Sequence, residues 1–256
     1  MTGTENAVLP LMPLRDMAPQ PGTTLPMFVG RDISKNAVRA AASAKSAIIL
    51  VSQKSIAVEN PRPADLYGVG VLGEINQILE HPDGTLRIVV TSKSRGYLHN
   101  ISVATPARPE LVEGRGSVEG YFTAEFEEIK PAPASADVPK AARSAVKSFA
   151  AYCKIKEDAL LAESRQLLGR LHELQNQIQA LRAANDSIGN LADPLKLADL
   201  IPGCIHTQVQ PDKLSDPAVV KAIDSRIRAK QAILSEPDPA KRLQLLRKFV
   251  EEQTKQ

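Results

Sequence analysis

The chain has 256 residues, 43% of them hydrophobic and 24% charged, with a net charge of +3. That balance is ordinary for a globular chain with a sizeable core, and the length fits one large domain or two small ones. So small an excess of basic residues argues against a nucleic-acid stripe, and only two cysteines, Cys153 and Cys204, argue against a disulfide scaffold or a cysteine metal site.

The start, MTGTENAVLP, lacks the basic and apolar regions of a signal peptide, and no run approaches eighteen apolar residues. The cytosol is the expected compartment. From Leu9 to Arg31 the chain reads LPLMPLRDMAPQPGTTLPMFVGR. Pro10, Pro13, Pro19, Pro21 and Pro26 forbid a long helix there. The apolar pieces between them predict a first strand, a proline-closed loop and a second short strand ending at Gly30. Proline is tolerated in strands at an edge or at the start. A helix is expected after Arg31, with Ser34 as its cap and Ala37, Val38, Ala41 and Ala42 favouring it. The apolar run Ala47–Gln53 reads as a buried strand, and NPRPADLYG as a loop.

Tyr67 to Val90 holds the clearest local signal. Asp83-Gly84 sits between two β-rich arms and predicts a hairpin, because glycine supplies positive φ at no steric cost. Gly68, Gly70 and Gly73 have the spacing G-x-G-x-x-G, but no helix opens after them. A dinucleotide site needs strand, tight turn and helix, so these glycines are read as permitting a bulge or sharp coiling. A further strand follows Arg95, then an exposed loop from Ala104 to Gly120, then an alternating strand from Tyr121 to Ile129 with Phe122, Ala124 and Phe126 inward. The Pro-Ala-rich segment 131–139 is a linker. Beyond it Val146, Phe149, Ala150 and Cys153 share a helix face, as do Leu167, Leu171, Leu174, Ile178 and Leu181. Asp193-Pro194 and Asp238-Pro239 open helices, and Pro202-Gly203 is expected to kink or end one. The fold class is therefore α+β: a small β pseudo-barrel with an inserted helix over residues 7–130, a linker over 131–139, and a helical bundle over 140–256.

No catalytic constellation emerges. His81, His99, His172 and His206 show no i,i+3 or i,i+4 pairing, and both cysteines read as reduced core thiols. There is no P-loop and no nucleophile elbow. Glu127 and Glu128 point to opposite faces of a strand. The basic residues Arg226, Arg228, Lys230, Lys241, Arg242, Arg247 and Lys248 are interspersed with acidic residues and glutamines and have few aromatic partners. Neither a cofactor nor a metal is expected, and the bottom-up reading is a non-catalytic binding module.

Several motifs carry a resemblance. LPLMPLRD, LPMFVGR before a helix, IILVSQK, Val69-Gly70, Glu74-Ile75, Ile78-Leu79, HPDGTLRIVV and Arg95 follow one another as in the N-terminal domain of ATP-dependent Lon proteases. DPLKLADLI (Asp193–Ile201) and KQAILSEPDPAKRLQLLRKFVEEQ (Lys230–Gln253) are similar to that family's helical signatures. The similarity runs from about Val8 to Glu252, and PMFVGR is closer to Lon than to its free-standing relatives. It implies a PUA-like pseudo-barrel and a helical bundle that recognise unfolded or degron-bearing proteins and assist hexamer assembly, without the ATPase and peptidase modules. Met12, Met17, Met27 and Phe28 are the candidate substrate contacts, since methionine adapts to varied partners. Their competing role is packing inside the barrel. Arg15, Gly30 and Arg31 are read as structural landmarks. The alternative function is a free-standing regulator or RNA-associated module; neither reading involves a membrane.

Overall fold

The computed structural model describes residues 7–105, 120–166, 171–191, 193–205 and 216–255. Most of the loop expected over Ala104–Gly120, and His206, lie outside them. The strands are β1 (Val8–Leu14), β2 (Thr24–Val29), β3 (Ile48–Ser52), β4 (Val69–Glu80), β5 (Leu86–Ala104) and β6 (Tyr121–Glu128). The helices are α1 (Asp32–Ala44), α2 (Val138–Gln166), α3 (Leu171–Gly189), α4 (Leu197–Cys204), α5 (Pro217–Ser235) and α6 (Pro239–Thr254). The chain divides into two compact units, Met1–Ile129 with Thr207–Gln231, and Lys130–His206 with Ala232–Gln256.

In the first unit the strands lie in the order β2-β5-β4-β3-β1-β6, and β5 also pairs with β6. Strands β5, β4, β3, β1 and β6 thus close a ring, and β2 hangs on the outer end of β5. The crossover from β1 to its parallel partner β3 carries β2 and α1. β3 is buried along its whole length: Ile48 and Leu50 pack with Met12 and α1, whereas Ile49 and Val51 pack with Leu11 and Phe122. A strand covered on both faces reads as a continuous apolar run, which is why its sequence does not alternate.

The glycines of β4 follow from this crowding. A Cβ on Gly70 would lie 2.8 Å from the Leu50 carbonyl oxygen, and one on Gly73 would lie 2.6 Å from Val90. The ladder to β5 shifts register between Val71 and Gly73, so G-x-G-x-x-G belongs to a bent strand. The hairpin at Asp83-Gly84 is present, with Gly84 at φ 78°.

One local expectation is corrected. Helix α1 begins at Asp32, so Ser34 lies inside the helix and is buried; Arg31 holds the cap position without a side-chain bond. At Pro202-Gly203 the chain behaves as expected: α4 ends one residue later, at Cys204, with Ile205 extended. Proline removes the donor that would bond the Ala198 carbonyl. That oxygen accepts instead from the buried guanidinium of Arg242, whose Nε also donates to Ile233 O and whose Nη2 pairs with Asp199.

The first unit also contains the greater part of α5, which residue order alone placed with the helical half. Ile223 and Ile227 pack against Ala18 and Ile56. Asp224 accepts from Ser55 Oγ at 2.7 Å and from the Ile56 N–H at 2.9 Å, while Arg15 Nε donates to Ile56 O at 2.7 Å. About two turns further on, Gln231 donates to Ser52 Oγ at 2.9 Å, and that hydroxyl donates to Met17 O.

In the second unit α2 lays Ala142, Ala145, Phe149 and Cys153 into a core with Leu243, Leu246, Phe249 and Val250 of α6. Helix α3 contributes Leu174, Ile178 and Ile188 to the buried set. Asp238 caps α6 through the N–H groups of Ala240 and Lys241, with Pro239 in the first turn. Burial pushes the Cys153 thiol up to about 12, with smaller effects from Cys204 and Glu157.

Candidate functional site

β2 alternates cleanly. Leu25, Met27 and Val29 turn inward, and Thr24, Pro26 and Phe28 turn outward. Phe28 is 72% exposed, an unusual place for a large aromatic side chain that is held on a regular strand. Its partner across β5 is Arg87, and Arg87 in turn faces Leu79 of β4. Leu79 is 48% exposed. Phe28, Arg87 and Leu79 therefore form one cross-strand row on the outer face of the three-strand ribbon.

Electrostatics hold the row in order. The Arg87 guanidinium carbon lies 6.0 Å from the Phe28 ring centre, within cation–π range. The His81 ring lies 6.2 Å from the same centre, tilted by 40°. His81 belongs to the hairpin turn, where its N–H donates to Thr85 O and its carbonyl accepts from the Gly84 N–H. Asp83 accepts from the Thr85 N–H at 2.9 Å, and this backbone bond, with the Thr85 hydroxyl second, holds its carboxyl below the usual range. The turn that supports His81 is thus itself hydrogen-bonded.

The four residues singled out from sequence separate sharply. Met12 and Met27 are buried, at 1% and 7% exposure, in the cluster under α1, and Met17 is partly buried against the same cluster. Only Phe28 of the four presents its side chain to solvent. Leu79 and Arg87 were not singled out as contacts. Their signal lay in the hairpin arms: once Leu86, Ile88 and Val90 are inward, period two sends Arg87 outward, and the register brings Leu79 beside it. Ile78 is also exposed, but it pairs with buried Ile88 and so lies on the opposite face.

The landmark residues Arg15 and Arg31 act in the scaffold. Arg31 donates to Gln53 Oε1 at 2.6 Å and to Pro13 O at 2.7 Å, tying the end of β2 to the ends of β1 and β3. Burial lowers its pKa, with Arg15 adding to the effect. Gly30 has open space at its Cβ position, and nothing in the structure explains a glycine there. Among the described residues no group of three or more His, Cys, Asp or Glu side chains is placed to hold a metal ion, and no helix is long and apolar enough to cross a membrane. An apolar–cation–apolar row with main chain beside it provides contact area and orientation; it supplies neither nucleophile nor base.

Comparison with known proteins adds a family. The family model for the ATP-dependent protease La (LON) substrate-binding domain matches residues 8–252. A Lon protease of Endomicrobium trichonymphae is 29% identical over 237 residues, which is 93% of this chain and 23% of that protein. One from Xanthomonas oryzae pv. oryzae is 36% identical over 57% of this chain and 16% of that protein. The chain thus spans less than a quarter of the length of these curated relatives. Among solved structures, the N-terminal domain of Mycobacterium avium complex Lon protease aligns with a TM-score of 0.52 at 19% identity, covering 96% of this chain and 99% of that one. At that identity the alignment speaks to the fold, which is the α+β arrangement of a Lon N-terminal domain.

Proposed function

The chain belongs to the Lon substrate-binding domain family, and we propose that it serves a Lon-type ATP-dependent protease as a non-catalytic recognition module. In this reading it captures exposed apolar segments of unfolded or degron-bearing proteins on the Phe28–Arg87–Leu79 row. The observation that carries the reading is the exposure of Phe28, 72%, on a strand whose alternate residues are buried. An apolar group kept in water on a rigid strand costs hydration free energy that contact with a partner recovers. Met12, Met17 and Met27 then act behind the surface, fixing the inner face of β2 so that Phe28 stays outward. Work in the cytoplasm and self-association as in a Lon hexamer complete the proposal.

Binding of a permanently unfolded, fluorescently labelled polypeptide tests it. Covering one phenylalanine side chain is worth roughly 1.5–3 kcal/mol when burial is complete, so Phe28→Ala is expected to weaken binding about tenfold, with Leu79→Ser somewhat less. The purified chain is expected to show no ATP hydrolysis. Equal affinity of the wild type and both variants would remove the row from recognition, and ATP turnover would contradict a non-catalytic role.

A further inference from the structure

The edge of β2 has a property beyond the exposure of Phe28. In the sheet order β2 is terminal, and β5 is its partner among the described strands. The hydrogen-bond phase of that pair follows from its first rung: the Ser92 N–H donates to Thr23 O at 2.8 Å. Thr24 therefore sits opposite Thr91 at a non-hydrogen-bonded position, and alternation gives Pro26 with Val89 and Phe28 with Arg87 the same phase. Pro26 agrees independently, because a residue without an N–H is accommodated where the main chain faces away from the ladder. Hence the N–H groups of Thr24 and Phe28, and the carbonyls of Thr24, Pro26 and Phe28, point to the open side of the strand.

These groups coincide with the exposed side chains of the same three residues. Arg87, next in the row, has no ion pair among the described residues; its recorded partner is the Phe28 ring. Its charge is thus available to a carboxylate. An edge with directional donors and acceptors, an aromatic ring and an unneutralised cation is complementary to an extended polypeptide. A helix satisfies its own main chain and leaves nothing for such an edge.

Resting on the recognition reading above, we infer that β2 captures its substrate segment by strand addition. An extended stretch of unfolded chain pairs with the main chain of Thr24, Pro26 and Phe28. Its side chains on the outer face place an apolar or aromatic group beside Phe28 and a carboxylate toward Arg87. Pro26 leaves one carbonyl of the added strand without a donor. That defect keeps the capture weak and reversible, and it blunts the edge against unlimited sheet growth. The selected feature is then chain extension together with apolar character, which any locally unfolded protein supplies and a folded surface does not.

The test uses an eight-residue peptide of alternating apolar and glutamate residues, with two analogues N-methylated on alternate residues in opposite phases. N-methylation removes main-chain donors and keeps the side chains. Anisotropy titrations with the full chain are expected to show one analogue binding about tenfold more weakly than the parent and the other nearly unchanged, because only one edge of the peptide meets β2. Thr24→Pro removes one outward donor and no ladder bond, and is expected to weaken the parent peptide several-fold; Thr24→Val, which keeps the N–H, is expected to match the wild type. Equal binding of all three peptides, with Thr24→Pro as tight as the wild type, would overturn strand addition while leaving recognition by the row intact. Failure of the parent peptide and of longer unfolded chains to bind at all would overturn the recognition reading as well. Self-association of the free chain that Thr24→Pro abolishes would assign the edge to a second copy and overturn the proposal.

Discussion

β3 and β2 are short strands of one sheet, and they are opposite in burial. Every residue of β3 is buried, with a cluster on each face and neighbours on both edges. β2 has one buried face, one exposed face and one open edge. The difference is one of position in the sheet: a central strand spends its side chains on packing, whereas a terminal strand has side chains and main chain left over for a partner. Variants on β3 and its surroundings should therefore change stability, and variants on the outward side of β2 should change binding.

The largest effect is expected at Ile49. Truncation to alanine leaves a cavity at a fully buried site and should cost roughly 3–4 kcal/mol in urea unfolding. Gly70→Ala comes next: its Cβ meets the Leu50 carbonyl at 2.8 Å, and overpacking of this kind costs about 1–3 kcal/mol. Gly68→Ala, where the space is open, is the control and should stay within about 0.5 kcal/mol, the range of ordinary surface changes. A neutral Gly70→Ala would show that the ring tolerates expansion and would weaken the contrast between the strands.

Asp224→Ala should rank third. It leaves the Ile56 N–H and Ser55 hydroxyl without their acceptor and should cost about 1–3 kcal/mol, with faster hydrogen exchange at Ile56 as the local sign. Phe28→Ala reverses the pattern: its ring is exposed, so unfolding should move by no more than about 0.5 kcal/mol even as affinity drops. The smallest effect concerns the turn beside the row. The carboxyl of Asp83 is held low by Thr85, so its contribution is present above the ordinary aspartate pKa and is lost as pH falls through the lower folded value. The Thr85 amide resonance should shift over that acid range, and Asp83→Asn should abolish the shift.

This contrast also marks what a reader of the sequence could see. The hairpin at Asp83-Gly84 was legible because its cause is local: two residues dictate the turn. The apolar run of β3 announced a buried strand for the same reason. Phe28 was among the candidate contacts, but methionine chemistry grouped it with Met12 and Met27, and only the register of β2 against β5 separates the outward residue from the inward ones. Leu79 and Arg87 depend on that register too, so no stretch of sequence taken alone presents the row. The docking of α5 was further out of reach, since Asp224 meets Ser55 across 169 positions in the chain. Pro202-Gly203 marked the end of α4 correctly, but the donor that serves the Ala198 carbonyl, Arg242, lies forty residues beyond Pro202 and was not legible.

In the proposed function, binding belongs to β2 and its neighbours. Titration of a permanently unfolded polypeptide into the isotope-labelled chain, followed by backbone amide NMR, tests it most directly. The account predicts shifts concentrated at Thr24, Leu25, Met27, Phe28 and Val29, with Leu79 and Arg87 following, and little change at Ile48 to Ser52. Shifts concentrated on α2 and α3, or on β6, with β2 unmoved, would contradict it.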